Sequence, residues 1–171
     1  MRDNIIACIC EGSAEQAIMD VLLENNAIIF LKEDLLDEKI IRTRSGTEFE
    51  KTYLRKSFKS KITVYRILDS RGENFKLNKL YWDKVEVINV ITAPEIEMLI
   101  IHNENQYDAF KKSGKKPSDY CKQDLKISDV KSYKFVKDYF SDVTILISAI
   151  QTYRQKAKIP KGETTLYDLL K

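Results

Sequence analysis

Cys8-Ile9-Cys10-Glu11-Gly12-Ser13-Ala14-Glu15 is the stretch on which the fold of this chain turns. Ahead of it runs an apolar segment containing Ile5, Ile6 and Ala7; behind it Ala17, Ile18, Val21 and Leu22 recur at helical spacing. A short run that is apolar on both faces is the pattern of a central parallel strand. Ser13, followed by Gln16 three residues on, reads as a capping box that starts a helix. The spacing therefore predicts a strand over 4–10 and a helix from Ser13 to about Asn25-Asn26. Glu11 is left at the turn between them. Open α/β sheets keep their chemistry at the carboxyl ends of strands.

Working outward, three more strand-like runs appear, over 27–31, 62–68 and 85–91. Residues 32–45 are polar and irregular, 48–59 reads as a helix, and a short helix is expected around 77–82. Thr92 and Glu95 form a second capping-box pattern, with Pro94 in the tolerated first turn. Ile96, Leu99 and Ile100 make its apolar stripe. Helical patterns then cover 94–112, 117–124, 128–140 and 142–157. Tyr133, Val136, Phe140, Ile147 and Ile150 are the expected core of that part. Alternating strand and helix predict the α/β class: a mostly parallel sheet flanked by helices, with a helical C-terminal portion. The expected division is a core over 1–105 and a helical extension over 106–171 packed on it.

The 171 residues, 43% hydrophobic and 32% charged, describe a globular chain rather than a disordered one. No apolar run has the ~20 residues of a membrane span, and the apolar run before Glu11 is too short for a signal peptide. Cys8, Cys10 and Cys121 are unpatterned and a single histidine, His102, accompanies them. This is too few soft ligands for a zinc module, and the expectation is reduced thiols in a cytoplasmic protein. Net charge is only +3, but its distribution is uneven. Between Lys39 and Arg66 stand nine Lys/Arg against two acids, Glu48 and Glu50. Arg42, Arg44, Lys51, Arg55, Lys56 and Lys59 in this block are candidates for contacting a nucleic-acid backbone, although a solvated helix face has the same composition.

Acids follow three of the expected strands: Glu11 with Glu15 after the first, Asp69 with Glu73 nearby after 62–68, and Glu95 with Glu97 after 85–91. In a parallel sheet those ends share one edge. Converging carboxylates raise one another's pKa unless a cation neutralises them. The hard, oxygen-seeking Mg²⁺ or Mn²⁺ is the natural occupant and suits phosphoryl transfer. Taken singly, each acid also reads as a turn, capping or solvated residue.

Glu11-Gly12-x-x-Glu15 after a hydrophobic strand resembles the first motif of the TOPRIM fold, shared by topoisomerases, DnaG-type primases and OLD-family nucleases. Ile67-Leu68-Asp69 resembles its second motif. Pro94-Glu95-Ile96-Glu97, running on through aliphatic residues to His102, is similar to a segment of RloB-like and AbiL-like proteins, small TOPRIM-type components of anti-phage, abortive-infection systems encoded beside ATPases. The resemblance covers roughly residues 4–105. It implies a metal-dependent nuclease acting on DNA or RNA, with an ABC/AAA-type ATPase partner. It implies Glu11, Asp69 and Glu97 as catalytic acids, and Glu11, Glu15, Asp69, Glu73 and Glu97 as the Mg²⁺ or Mn²⁺ ligands. The usual Asp-x-Asp is here Asp69-Ser70-Arg71, and an arginine cannot ligate a metal. That departure points to an alternative: a catalytically inactive TOPRIM-like subunit that docks on an ATPase or a phage component. Primase-like chemistry is a third reading, with no Gly-rich phosphate loop or zinc module to carry it. The C-terminal helices are the candidate surface for the ATPase or for a second copy.

Overall fold

The computed structural model describes residues 5–56, 60–72, 74–92 and 94–171. Three parallel strands form the sheet in the order β1-β2-β3: β1 is Ile5–Cys10, β2 Ile62–Leu68 and β3 Val85–Ile91. Isolated parallel bridges lengthen it on both sides. Leu35 and Ile41 pair with Ile6 and Ile9 on the free side of β1, and Thr164 pairs with Val90 of β3. From β1 the chain thus moves to one side, then returns across to β2 on the other. The strand order reverses between β1 and β2, where open α/β sheets place their ligand crevice.

The two connections lie on opposite faces, as right-handed crossovers in opposite directions must. Helix α1, Ser13–Glu24, belongs to the core that holds Ile6, Cys8 and Cys10 of β1. A second, smaller core holds Ala7 and Ile9, with Phe49 of α2 (Gly46–Phe49) and Leu54 of the wider π turn that follows it (Glu50–Leu54). The alternation of β1 side chains therefore decides which face each residue serves. Helices α3 (Glu95–Asn103), α4 (Tyr107–Ser113), α5 (Pro117–Gln123), α6 (Tyr133–Tyr139) and α7 (Val143–Lys156) follow. The larger core runs through α1, α3, α6 and α7 without a break. Ile96, Leu99, Ile100 and Ile101 are all buried, so α3 is enclosed by neighbours rather than amphipathic.

The α/β class, the parallel sheet and the helical C-terminal portion are as expected from the sequence. Several details differ. Residues 27–31 form no strand; Ile28 makes one antiparallel bridge with Leu170, and the added parallel pairing falls on Leu35 and Ile41. The expected helix over 94–112 breaks at Asn105, whose φ of 54° no continuing helix accommodates. Gly12, not Ser13, is the N-cap of α1. Thr92 caps nothing, since the N-cap of α3 is Pro94; its hydroxyl donates to the Leu68 carbonyl at 2.8 Å. Tyr133 is exposed and donates its hydroxyl to Asp20, while Val136, Phe140 and Ile150 are buried as expected. Among the described residues no helix is long and apolar enough to cross a membrane.

Candidate functional site

Glu11, Asp69 and Thr92 each follow the last residue of a strand, so all three stand at the carboxyl edge of the sheet. Lateral bonds fix the edge. The Glu11 amide donates to the Ile67 carbonyl at 3.4 Å, and the Thr92 amide to the Leu68 carbonyl at 2.7 Å.

The acids at this edge fall into two environments. Glu11 lies on the α2 side. Its Oε1 accepts from Arg66 Nη2 at 2.9 Å, and both side chains are all but inaccessible, 2% and 1% exposed. Arg66 is carried by β2 directly beside Ile9 in the register. Its guanidinium lies 4.6 Å from the Phe75 ring centroid and donates to Asn89 Oδ1 at 3.3 Å. A buried arginine of this kind needs a carboxylate, and Glu11 is that carboxylate. Arg66 also stands in the basic block, so one of its nine cations faces inward and is not available to a phosphate.

Glu15 lies over the turn. Its carboxylate folds back so closely that a Cβ on residue 12 would meet Glu15 Oε2 at 1.8 Å; only glycine leaves that space. Glu15 is buried, and the Thr92 hydroxyl reaches its Oε1 at 3.4 Å. Burial raises the Glu15 pKa from its ordinary value and the negative charge of Asp69 raises it further, while its backbone hydrogen bond and the charge of Lys131 pull the other way. Asp69 itself is exposed. Glu97, buried on α3, is met by Lys131 Nζ at 3.6 Å. Burial of the Cys121 thiol, and then the charge of Glu97, push it up to about 12; Cys8, Cys10 and Cys121 are all free and buried.

Glu15, Asp69, Glu97 and Lys131 thus share one electrostatic neighbourhood, and Glu11 belongs to another. Among the described residues, no group of three or more His, Cys, Asp or Glu side chains lies close enough together to hold a metal ion. Glu11, Asp69 and Glu97 therefore do not make the single cluster expected of them, because β1 sends Glu11 to the face where Arg66 neutralises it. A cage built wholly from protein carboxylates does not fit this edge. The donor chemistry is compatible with a Mg²⁺ or Mn²⁺ held by one or two carboxylates and completed by a substrate phosphate: Asp69 is an exposed hard oxygen donor, and Glu15, buried beside it, would be the second. Glu73 lies outside the described residues.

Arg42, Arg44, Lys51, Arg55 and Lys56 are exposed, and Lys59 lies outside the described residues. Arg42 reaches the site edge: Nη1 donates to Gln16 Oε1 at 2.7 Å and Nη2 to the Glu11 carbonyl at 3.2 Å. Arg71, the departure in the second motif, is turned away to a two-pronged pair with Glu163, at 2.7 and 2.8 Å. Sequence reasoning missed Arg66, Thr92 and Lys131 as site residues. For Arg66 a signal existed: a lone cation inside the apolar run Ile-Thr-Val-Tyr-Arg-Ile-Leu is rarely buried unpaired. In comparisons with protein-family models, curated proteins and solved structures, nothing matches this chain.

Proposed function

We propose that the chain is a metal-dependent nuclease of the TOPRIM type, hydrolysing phosphodiester bonds of DNA or RNA in the cytoplasm beside an ATPase partner in anti-phage defence. The observation that carries this reading is Glu15: a buried carboxylate with a raised pKa, set against the charge of Asp69 at the switch point of a parallel sheet. Groups held at such a cost gather at functional sites. Asp69 and Glu15 are the residues to hold Mg²⁺ or Mn²⁺ against a substrate phosphate. The chemistry such an ion supplies when bound is activation of a water and neutralisation of the leaving oxygen. Burial and the charge of Asp69 make Glu15 hold its proton more tightly than an ordinary carboxylate, a cost that a bound cation would relieve. Lys131 offsets the charge of Glu97. The exposed cations Arg42, Arg44, Lys51, Arg55 and Lys56 contact the nucleic-acid backbone. Glu11 anchors the edge through Arg66 rather than touching substrate.

The test is incubation with plasmid, single-stranded DNA and tRNA, in Mn²⁺ or in EDTA. Cleavage is expected with Mn²⁺, and is lost in EDTA and in Asp69→Ala. Asp69 is exposed, so the variant stays folded. Cleavage that persists in Asp69→Ala sinks the proposed site. The neutralisation of Glu11 by Arg66 favours a second reading, a non-catalytic docking subunit. That reading expects no cleavage of any substrate and an ATPase interaction that survives Asp69→Ala.

A further inference from the structure

A cleft of about 410 Å³ opens beside α3, within the ~300–1,000 Å³ usual for small-molecule sites. Pro94, Met98 and His102 line it at four-residue intervals and so share one side of the helix. Phe110 and Tyr153 complete an apolar floor. Arg71, two residues beyond Asp69 in the sequence, is also at its border.

The rim is basic. Lys111, Lys156 and Lys158 line it, and among the described residues none of the three is ion-paired with a carboxylate. Two are held over one ring: Lys156 Nζ lies 4.7 Å and Lys111 Nζ 6.0 Å from the centroid of Tyr107. His102 stacks on the same ring with centroids 4.8 Å apart. Burial, and then the charge of Lys156, lower the His102 pKa to about 4, so at neutral pH it is uncharged and reports from within the cleft wall, buried against Tyr107 and Tyr153. The acids nearby are Glu163, engaged by Arg71, and Asp108 in the adjoining hollow across His102.

We propose that this cleft binds a nucleoside phosphate, with the base against the aromatic floor and the phosphate on Lys111, Lys156 and Lys158. Aromatic platforms rimmed by cations are how single strands are held without sequence readout. A phosphate-bearing ligand lacking a base would use the rim and leave the apolar floor bare. The binding stands on the cleft alone. Its purpose, presenting a strand end to the acid edge, rests on the nuclease reading.

His102 is the only histidine and Trp82 the only tryptophan, so each gives one set of NMR signals. Trp82 precedes β3, at the opposite edge of the sheet, and serves as the control. With the full chain in EDTA, AMP is expected to shift the His102 imidazole signals and not the Trp82 indole. Ribose 5-phosphate is expected to bind at least about tenfold more weakly than AMP, the scale of losing one stacked base, and adenosine, which lacks the charge held by the lysines, is also expected to bind more weakly. Lys111→Glu with Lys156→Glu is expected to weaken AMP at least tenfold, and Lys158→Glu alone, outside the helices, to weaken it in the same direction. A 5′-phosphorylated tetranucleotide acting at tenfold lower concentration than AMP assigns the site to a strand end. The reverse order assigns it to a free nucleotide of the same base-plus-phosphate chemistry. Asp69→Ala should leave all of this unchanged, which separates it from any failure of the cleavage assay. His102 signals unmoved by millimolar AMP, ribose 5-phosphate binding as tightly as AMP, or lysine variants that bind AMP like the wild type would each overturn the proposal.

Discussion

Glu11 and Glu15 leave one strand-to-helix turn four residues apart and end in opposite electrostatic conditions. Glu11 continues the alternation of Ala7 and Ile9 onto the α2 side, where Arg66 meets it at 2.9 Å out of reach of water. Glu15 sits on α1 on the other side, desolvated and repelled by Asp69. Among the described residues no cation lies within ion-pair distance of it. Acids at the same sheet edge are thus not equivalent. A buried acid with its own buried cation specifies structure. A buried acid without one marks a candidate functional site.

The sharpest way to break the comparison is to remove the cation. Arg66→Ala takes the cation from the buried Glu11, and removing one partner of a buried ion pair costs about 3–5 kcal/mol. Arg66→Met with Glu11→Gln removes both charges at similar volume and should recover most of that loss. Urea denaturation of the wild type, the single and the double variant measures the coupling. If Arg66→Ala unfolds at nearly the wild-type midpoint, Glu11 is not a structural acid, and its role at the edge reopens.

Gly12→Ala probes the other side of the turn. The new methyl displaces the Glu15 carboxylate, which is the mobile end of a side chain and can give way. The expected loss is about 1–3 kcal/mol, the range for overpacking. In Gly12→Ala with Glu15→Ala the obstruction is gone, so the double variant should lose less than the sum of the two single losses. Additive losses, read from the same denaturation series, would mean that the fold-back of Glu15 over Gly12 is not what constrains residue 12.

Much of this was legible in the residues. The runs 62–68 and 85–91 coincide with β2 and β3, because apolar, β-branched stretches ended by polar residues have few alternatives. Helix α7 follows its pattern closely for the same reason. What stayed hidden depends on long-range partners. The parallel pairing at Leu35 and Ile41 lies in a polar stretch and is made by two isolated bridges, too little to leave a periodic signal. Thr92 looks like a cap, but α3 begins beyond it with Pro94 as the N-cap, and the Thr92 hydroxyl donates across the sheet to the Leu68 carbonyl. The acids at the three strand ends were visible. Their separation was not, because it follows from the register that sets Arg66 beside Ile9 and from the side of the sheet to which Glu11 turns.

Glu15→Gln tests whether the second environment costs stability. Its raised pKa means that the folded state holds the Glu15 proton more tightly than the unfolded chain does. Stability from this group is therefore fully present below the ordinary carboxylate range and is lost as pH rises through the folded pKa. Glutamine has no charge to desolvate. The variant should match the wild type at low pH and exceed it at neutral pH, while cleavage falls. Denaturation midpoints between pH 4 and 8 check this. A variant less stable than the wild type at pH 7 would mean that the charged form of Glu15 is stabilising, which contradicts the distinction from Glu11.

The smallest effect is expected at Arg71, whose pairing with Glu163 resembles that of Glu11 with Arg66 in chemistry and differs in surroundings. The fork is two-pronged, but the Arg71 side chain is 52% exposed. Water and salt screen such a pair, and exposed ion pairs contribute about 0.2–1 kcal/mol. Arg71→Ala, Glu163→Ala and the double variant should therefore differ from the wild type by little, and by less at high salt, where the Arg66 variants should lose as much as before. The same guanidinium–carboxylate contact then yields two energies several-fold apart, and burial alone separates them. If the Arg71 pair proves as costly to break as the Arg66 pair, burial is not the variable that divides the acids of this edge, and the assignment of Glu11 to structure and Glu15 to chemistry loses its physical basis.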